Sequence, residues 1–169
     1  MKMAMVAVAV ALMVLLLSGL PVPAGAAGGG GAAAGEMEVT KDSNLLLATK
    51  LPVANLTVYG VKLGDSIEKI PAAAGVTRQT TERQQDEVFT GRNVSYFANE
   101  GKIYRIRVHG ELTEAMPPYD YTRLQMLLGK ADEAATPETN VISLTYFARR
   151  VRFMFRDVHN VSSVDFYAP

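Results

Sequence analysis

The residues able to do chemistry are few in this 169-residue chain, and their spacing does not gather them. There is no Cys, which excludes a cysteine nucleophile, a thiolate zinc site, a disulfide framework and a lipidated N-terminal Cys. Histidine, the usual base and metal ligand near neutral pH, occurs only as His109 and His159. Neither belongs to an HxH or HExxH spacing that would set two ligands on one face of an element. The acid pairs Asp86-Glu87 and Asp132-Glu133 are sequence neighbours in polar stretches, whereas glycosidase carboxylates must face each other across a cleft, so both pairs read as solvated charge. No Gly-x-Ser-x-Gly elbow and no Gly-Lys-Ser/Thr phosphate loop occurs, and Gly28–Gly31 lacks the strand before and helix after it that a dinucleotide site needs. No enzyme activity, catalytic residue, metal or cofactor is expected.

The basic residues are more informative. With 17 Lys+Arg against 17 Asp+Glu the net charge is zero, which counts against a polybasic nucleic-acid binder. The arginines are nevertheless concentrated at Arg105, Arg107, Arg149, Arg150, Arg152 and Arg156. Strand alternation directs Arg105, Arg107, Arg152 and Arg156 to one sheet face, interleaved with Phe97, Phe147 and Met154. Guanidinium groups beside aromatic and Met side chains are the composition of protein-binding patches, and these seven residues are the candidate partner-binding set. The same composition also describes a solvated face on which arginine stems cover rings. A different reading is a small-ligand binder with Tyr96, Tyr104 and Tyr146 lining a pocket.

Three regions position these residues. Residues 1–26 read as a signal peptide: Lys2, an apolar run from Met3 to Leu17, the helix breakers Pro21 and Pro23, and the cleavage site Ala24-Gly25-Ala26. The run is shorter than the ~18–20 residues of a membrane span, so a secreted or periplasmic protein with no anchor after cleavage is expected. Residues 27–55 form a Gly/Ala-rich spacer and arm, in which Leu45-Leu46-Leu47 could dock on the domain. The folded domain is expected over 56–169. The sequons at Asn55, Asn93 and Asn160 are candidate glycan acceptors on a eukaryotic secretory route.

Within the domain, Asp65 with Glu68 resembles a capping box and predicts a helix reset at Pro71 and ended by Gly75. Strands follow at 94–98 and 102–108, joined by Asn99-Glu100-Gly101, which sets Tyr96 opposite Tyr104 and Val94 opposite Ile106. Asp120 caps a second helix with a Tyr121, Leu124, Leu127, Leu128 stripe closed by Gly129. A loop is expected at Lys130–Asn140, then strands at 141–148, 151–156 and 161–167. Ser95-Tyr96-Phe97-Ala98 returns as Thr145-Tyr146-Phe147-Ala148, each after a capped helix. The expected fold class is therefore α+β, with tandem repeats of a helix plus a three-stranded antiparallel meander in two helix-on-sheet layers.

The pattern Gly-x-x-x-Gly-Asp-Ser-x-x-x-Ile from Gly60 to Ile70, with Lys102-Ile103-Tyr104-Arg105-Ile106 after it, resembles the β-lactamase-inhibitor-protein and SmpA/OmlA-type group of exported domains. The resemblance spans about residues 56–167. It implies a non-catalytic domain that binds an extracytoplasmic protein on an open sheet face, as an inhibitor or an envelope scaffold. This chain lacks the lipidated Cys of the SmpA/OmlA lipoproteins and the disulfides and Trp of the inhibitors, and no family binding residue is carried over.

Overall fold

The computed structural model describes residues 35–80, 86–114, 116–117, 119–136 and 142–168. The expected signal peptide and most of the spacer, residues 1–34, lie outside the described residues. In chain order the elements are β1 (Met37–Glu38), α1 (Leu45–Ala48), β2 (Leu56–Thr57), β3 (Thr77–Thr80), β4 (Glu87–Thr90), β5 (Val94–Asn99), β6 (Lys102–His109), α2 (Glu111–Glu114), α3 (Tyr121–Leu128), β7 (Glu133–Ala135), β8 (Ile142–Tyr146), β9 (Val151–Asp157) and β10 (Asn160–Tyr167). β1 and β2 form a small parallel pair, and the rest form one eight-stranded antiparallel sheet in the order β3-β4-β5-β6-β10-β9-β8-β7.

This corrects the expected α+β repeat: the described chain is mostly β, with three short α-helices, and is not a tandem helix-on-sheet arrangement. The first expected helix does not form. Gly64 N–H donates to Ile103 O, Ile103 N–H to Asp65 O, and Ile67 N–H to Gly101 O, so this segment pairs alongside the start of β6. Backbone groups engaged across the sheet cannot also close helical turns, and only two 3-10 turns remain, at Ile67–Lys69 and Ala72–Ala74. Asp65 is buried and holds the Lys62 N–H at 3.1 Å and the Lys69 ammonium at 2.7 Å, while Ser66 takes the capping role. Nor do the two similar tetrapeptides occupy equivalent places. Ser95–Ala98 lies inside β5, whereas Thr145 and Tyr146 end β8 and Phe147 and Ala148 enter a turn. The second helix is present: Asp120 accepts from Arg123 N–H at 2.6 Å and Gly129 follows its last turn.

The hairpin register also differs. Asn99 pairs with Lys102 across Glu100-Gly101, both at positive φ (49° and 72°), giving a two-residue turn. A bulge beyond Phe97/Ala98 then sets Tyr96 opposite Ile106 and Val94 opposite Val108. Ile103 takes the core place expected for Tyr104, whose hydroxyl instead reaches Asp86 at 2.9 Å. The expected Lys130–Asn140 loop contains the edge strand β7, and β3 forms the other edge. Both are short, with Thr, Arg, Gln, Glu and Ala residues that give little apolar alternation.

One face of the sheet carries a continuous core. Tyr96, Ile106, Val108, Leu144, Phe153 and Phe166 are buried there together with Leu124 and Leu128 of α3. Residues ahead of Leu56 join them: Val39, Leu45, Leu46 and Val53 are all buried in the same cluster. Each fully buried side chain of this size contributes about 1.5–3 kcal/mol through removal from water. Leu112 of α2 and Leu45, Leu46 and Ala48 of α1 belong to the same cluster, so each described α-helix contributes buried side chains to this core.

Candidate functional site

The uncovered face is built by the alternate residues of the central strands. Pairing aligns Ser95 with Arg107, Arg107 with Asp165, Asp165 with Arg152, Arg152 with Thr145, and Thr145 with Glu133, a polar row crossing six strands. One step along, Phe97 faces Arg105 and Arg105 faces Tyr167. On the other side, His109 faces Ser163 and Ser163 faces Met154.

Asp165 is the anchor of the polar row. Its side chain is 0% exposed, and Arg107 grips it with both prongs, Nε to Oδ1 at 2.6 Å and Nη2 to Oδ2 at 2.8 Å. Tyr167 adds a longer hydroxyl bond to Oδ2 at 3.3 Å. The Asp165 hydrogen bond holds the Arg107 proton more tightly than usual, outweighing the opposing effect of burial. Tyr167 itself ionises less readily than a free phenol, through burial and then the Asp165 charge.

The flanking arginines are differently placed. The Arg105 guanidinium lies 3.5 Å from the Phe97 ring centre, and its buried Nε has no hydrogen-bond partner among the described residues. Arg152 donates from Nε to Thr145 Oγ1 at 2.9 Å, sits 5.7 Å from the Tyr167 ring centre, and comes only within 4.0 Å of the Glu133 carboxylate. Phe147, 56% exposed, stands in the turn after β8. Phe97, Arg105, Tyr167, Arg152 and Phe147 thus alternate aromatic and cationic groups across the face. Two depressions open on it. One of about 600 Å3 is lined by Phe97, Arg105, Arg107 and His109, and one of about 270 Å3 by Phe147, Arg150, Arg152 and Tyr167.

Of the seven residues singled out by sequence, Phe97, Arg105, Arg107, Arg152 and Met154 meet on this face and Phe147 stands at its end. Arg156 borders a separate cleft of about 310 Å3 with Glu114 and Met116. Sequence reasoning missed Asp165 and Tyr167. The available signal was an acid in the middle of an otherwise apolar and hydroxylic strand, Val161–Tyr167, which demands a buried partner.

The other candidates disperse. His109 Nε2 lies 3.2 Å from Ser95 Oγ, and burial followed by the Arg107 charge lowers its proton affinity. His159 sits in the β9–β10 turn, with its backbone N–H on Asp157. Among the described residues no group of three His, Asp or Glu could hold a metal ion. Asp86 accepts from Tyr104, Glu87 pairs with Arg78, and Asp132 accepts from Phe147 N–H at 2.7 Å. Tyr96 and Tyr146 are core residues with hydroxyls on the Val58 and Gly129 carbonyls, and burial pushes the Tyr146 phenol up to about 12. They stand four strand spacings apart, roughly 19 Å, so with Tyr104 they do not converge on one pocket.

No family model and no curated protein matches the chain. Among solved structures it is similar to a DUF4309 family protein (YjgB) from Bacillus subtilis subsp. subtilis str. 168. That likeness has 18% sequence identity and a TM-score of 0.49, and covers 75% of this chain and 94% of the other.

Proposed function

We propose that this protein is an exported, non-enzymatic protein-binding domain, inhibitor-like or a cell-envelope scaffold, that engages its partner with the uncovered sheet face. The observation that carries this reading is the asymmetry of the sheet. Core residues load one side, while among the described residues the other presents arginine and aromatic groups that are partly exposed. Such a surface offers planar, rigid contact area and charged anchors, the features enriched where binding energy concentrates. Export rests on the N-terminal Lys2, apolar run and Ala24-Gly25-Ala26 pattern.

The test is affinity capture from an extracytoplasmic extract with three forms: the unaltered protein, R105E/R152E and M126E. Met126 is 81% exposed on α3, on the covered side, and serves as the control position. Arg107 is left intact because it holds Asp165. The expected outcome is one co-purifying protein retained by the unaltered form and M126E and lost with R105E/R152E, all three being folded by circular dichroism. Retention by R105E/R152E, or loss with M126E, overturns the assignment of the face.

A further inference from the structure

The uncovered face has a chemical preference written into its charges. Its central carboxylate, Asp165, is fully engaged by Arg107, with both oxygens accepting. The arginines on either side have no such partner. Arg105 forms no ion pair among the described residues, and Arg152 has the Thr145 hydroxyl at hydrogen-bond distance and the Glu133 carboxylate only at 4.0 Å. Both guanidinium groups are held by aromatic rings, Phe97 beneath Arg105 and Tyr167 beside Arg152. An arginine stacked on a ring keeps its donor edge free and loses little freedom when an acceptor arrives.

Beside Arg152 lies the smaller depression, of about 270 Å3, walled by Phe147, Tyr146, Val151 and Tyr167. At about 270 Å3 it falls just short of the ~300–1,000 Å3 of sites for whole drug-sized ligands and has room for an apolar side chain. The rim of the face carries Glu133 and Asp86, which would repel an extended polyanion while leaving Arg152 available to an isolated carboxylate.

Resting on the protein-binding reading above, we infer that the occupant is a partner peptide segment with an Asp or Glu carboxylate taken by Arg152, and an adjacent apolar side chain seated in the Phe147–Tyr167 pocket that Arg152 also lines. The carboxylate meets the fork geometry that Arg107 already displays toward Asp165. The apolar neighbour excludes water from that ion pair and strengthens it.

The probes are acetyl-Glu-Phe-amide and acetyl-Gln-Phe-amide, titrated into the 15N-labelled full chain and followed by NMR. Saturable shifts at Phe147, Arg152 Nε and Tyr167 are expected with the Glu probe, with roughly tenfold weaker binding of the Gln probe. R152Q should erase the difference between probes. F147A should weaken both probes and leave their ratio in place, and M126A should change neither. Equal binding of the two probes, or shifts centred on α3, overturns the inference. If the probes bind equally while R105E/R152E still loses its captured partner, the carboxylate assignment fails and the protein-binding face stands. If capture is also indifferent to R105E/R152E, both fall.

Discussion

Replacing Arg107 should damage the fold more than replacing the acid it binds. In R107M the Asp165 carboxylate stays at 0% exposure with only the Tyr167 hydroxyl, 3.3 Å away. A buried charge stripped of its partner costs about 3–5 kcal/mol. In D165N the situation is milder. The amide keeps an acceptor and the same volume, and the Arg107 side chain, 32% exposed, can turn its guanidinium toward water. The loss there is that of a charged hydrogen bond, about 1.5–3 kcal/mol. The double variant R107M/D165N strands no charge, so its cost should fall below the sum of the singles, by about 2 kcal/mol. Urea denaturation of the four forms at pH 7 gives the cycle. Equal single costs or an additive double variant would refute the buried-pair account.

The remaining expectations are smaller. His109 binds a proton less readily in the fold than the free side chain does, so stability is complete above the unfolded value of about 6.5 and declines as pH falls through the lowered folded value. H109Q should therefore flatten the stability difference between pH 7 and pH 5 in urea titrations, and an unchanged slope would count against a buried neutral imidazole. D120A removes the acceptor for Arg123 N–H at the start of α3. A loss of about 1 kcal/mol is expected by the same denaturation assay, with no change in capture of the partner.

Local signals were legible where local physics decided the outcome. Asp120 and Gly129 bracket α3 because a capping carboxylate and a chain-ending glycine act within one helical turn. Alternation in β9 set Arg152 and Met154 on one face, and the structure buries Phe153 and Phe155 on the other, since a half-covered strand has a period of two. The misread Asp65–Gly75 segment carries equally good cap residues, yet its backbone is engaged by residues 101–103, far away in sequence. Tertiary pairing overrode propensity there. The bulge that moved Tyr104 off the core face has no compositional mark, and the edge strands β3 and β7 are too polar to show alternation. The candidate face was half visible. Its arginines and phenylalanines follow from alternation alone. Asp165 and Tyr167 enter through the contact between β6 and β10, 58 positions apart for Arg107 and Asp165, which no local pattern specifies.

Site-specific photo-crosslinking tests the central assignment most directly. A benzophenone amino acid is placed at Phe147 on the uncovered face or at Met126 on the outer side of α3, two exposed positions on opposite sides of the sheet. Irradiation in the presence of the extracytoplasmic extract should give a discrete adduct from position 147, abolished by R105E/R152E, and none from position 126. An adduct from position 126 with none from 147 would place the partner on the covered side and contradict the account.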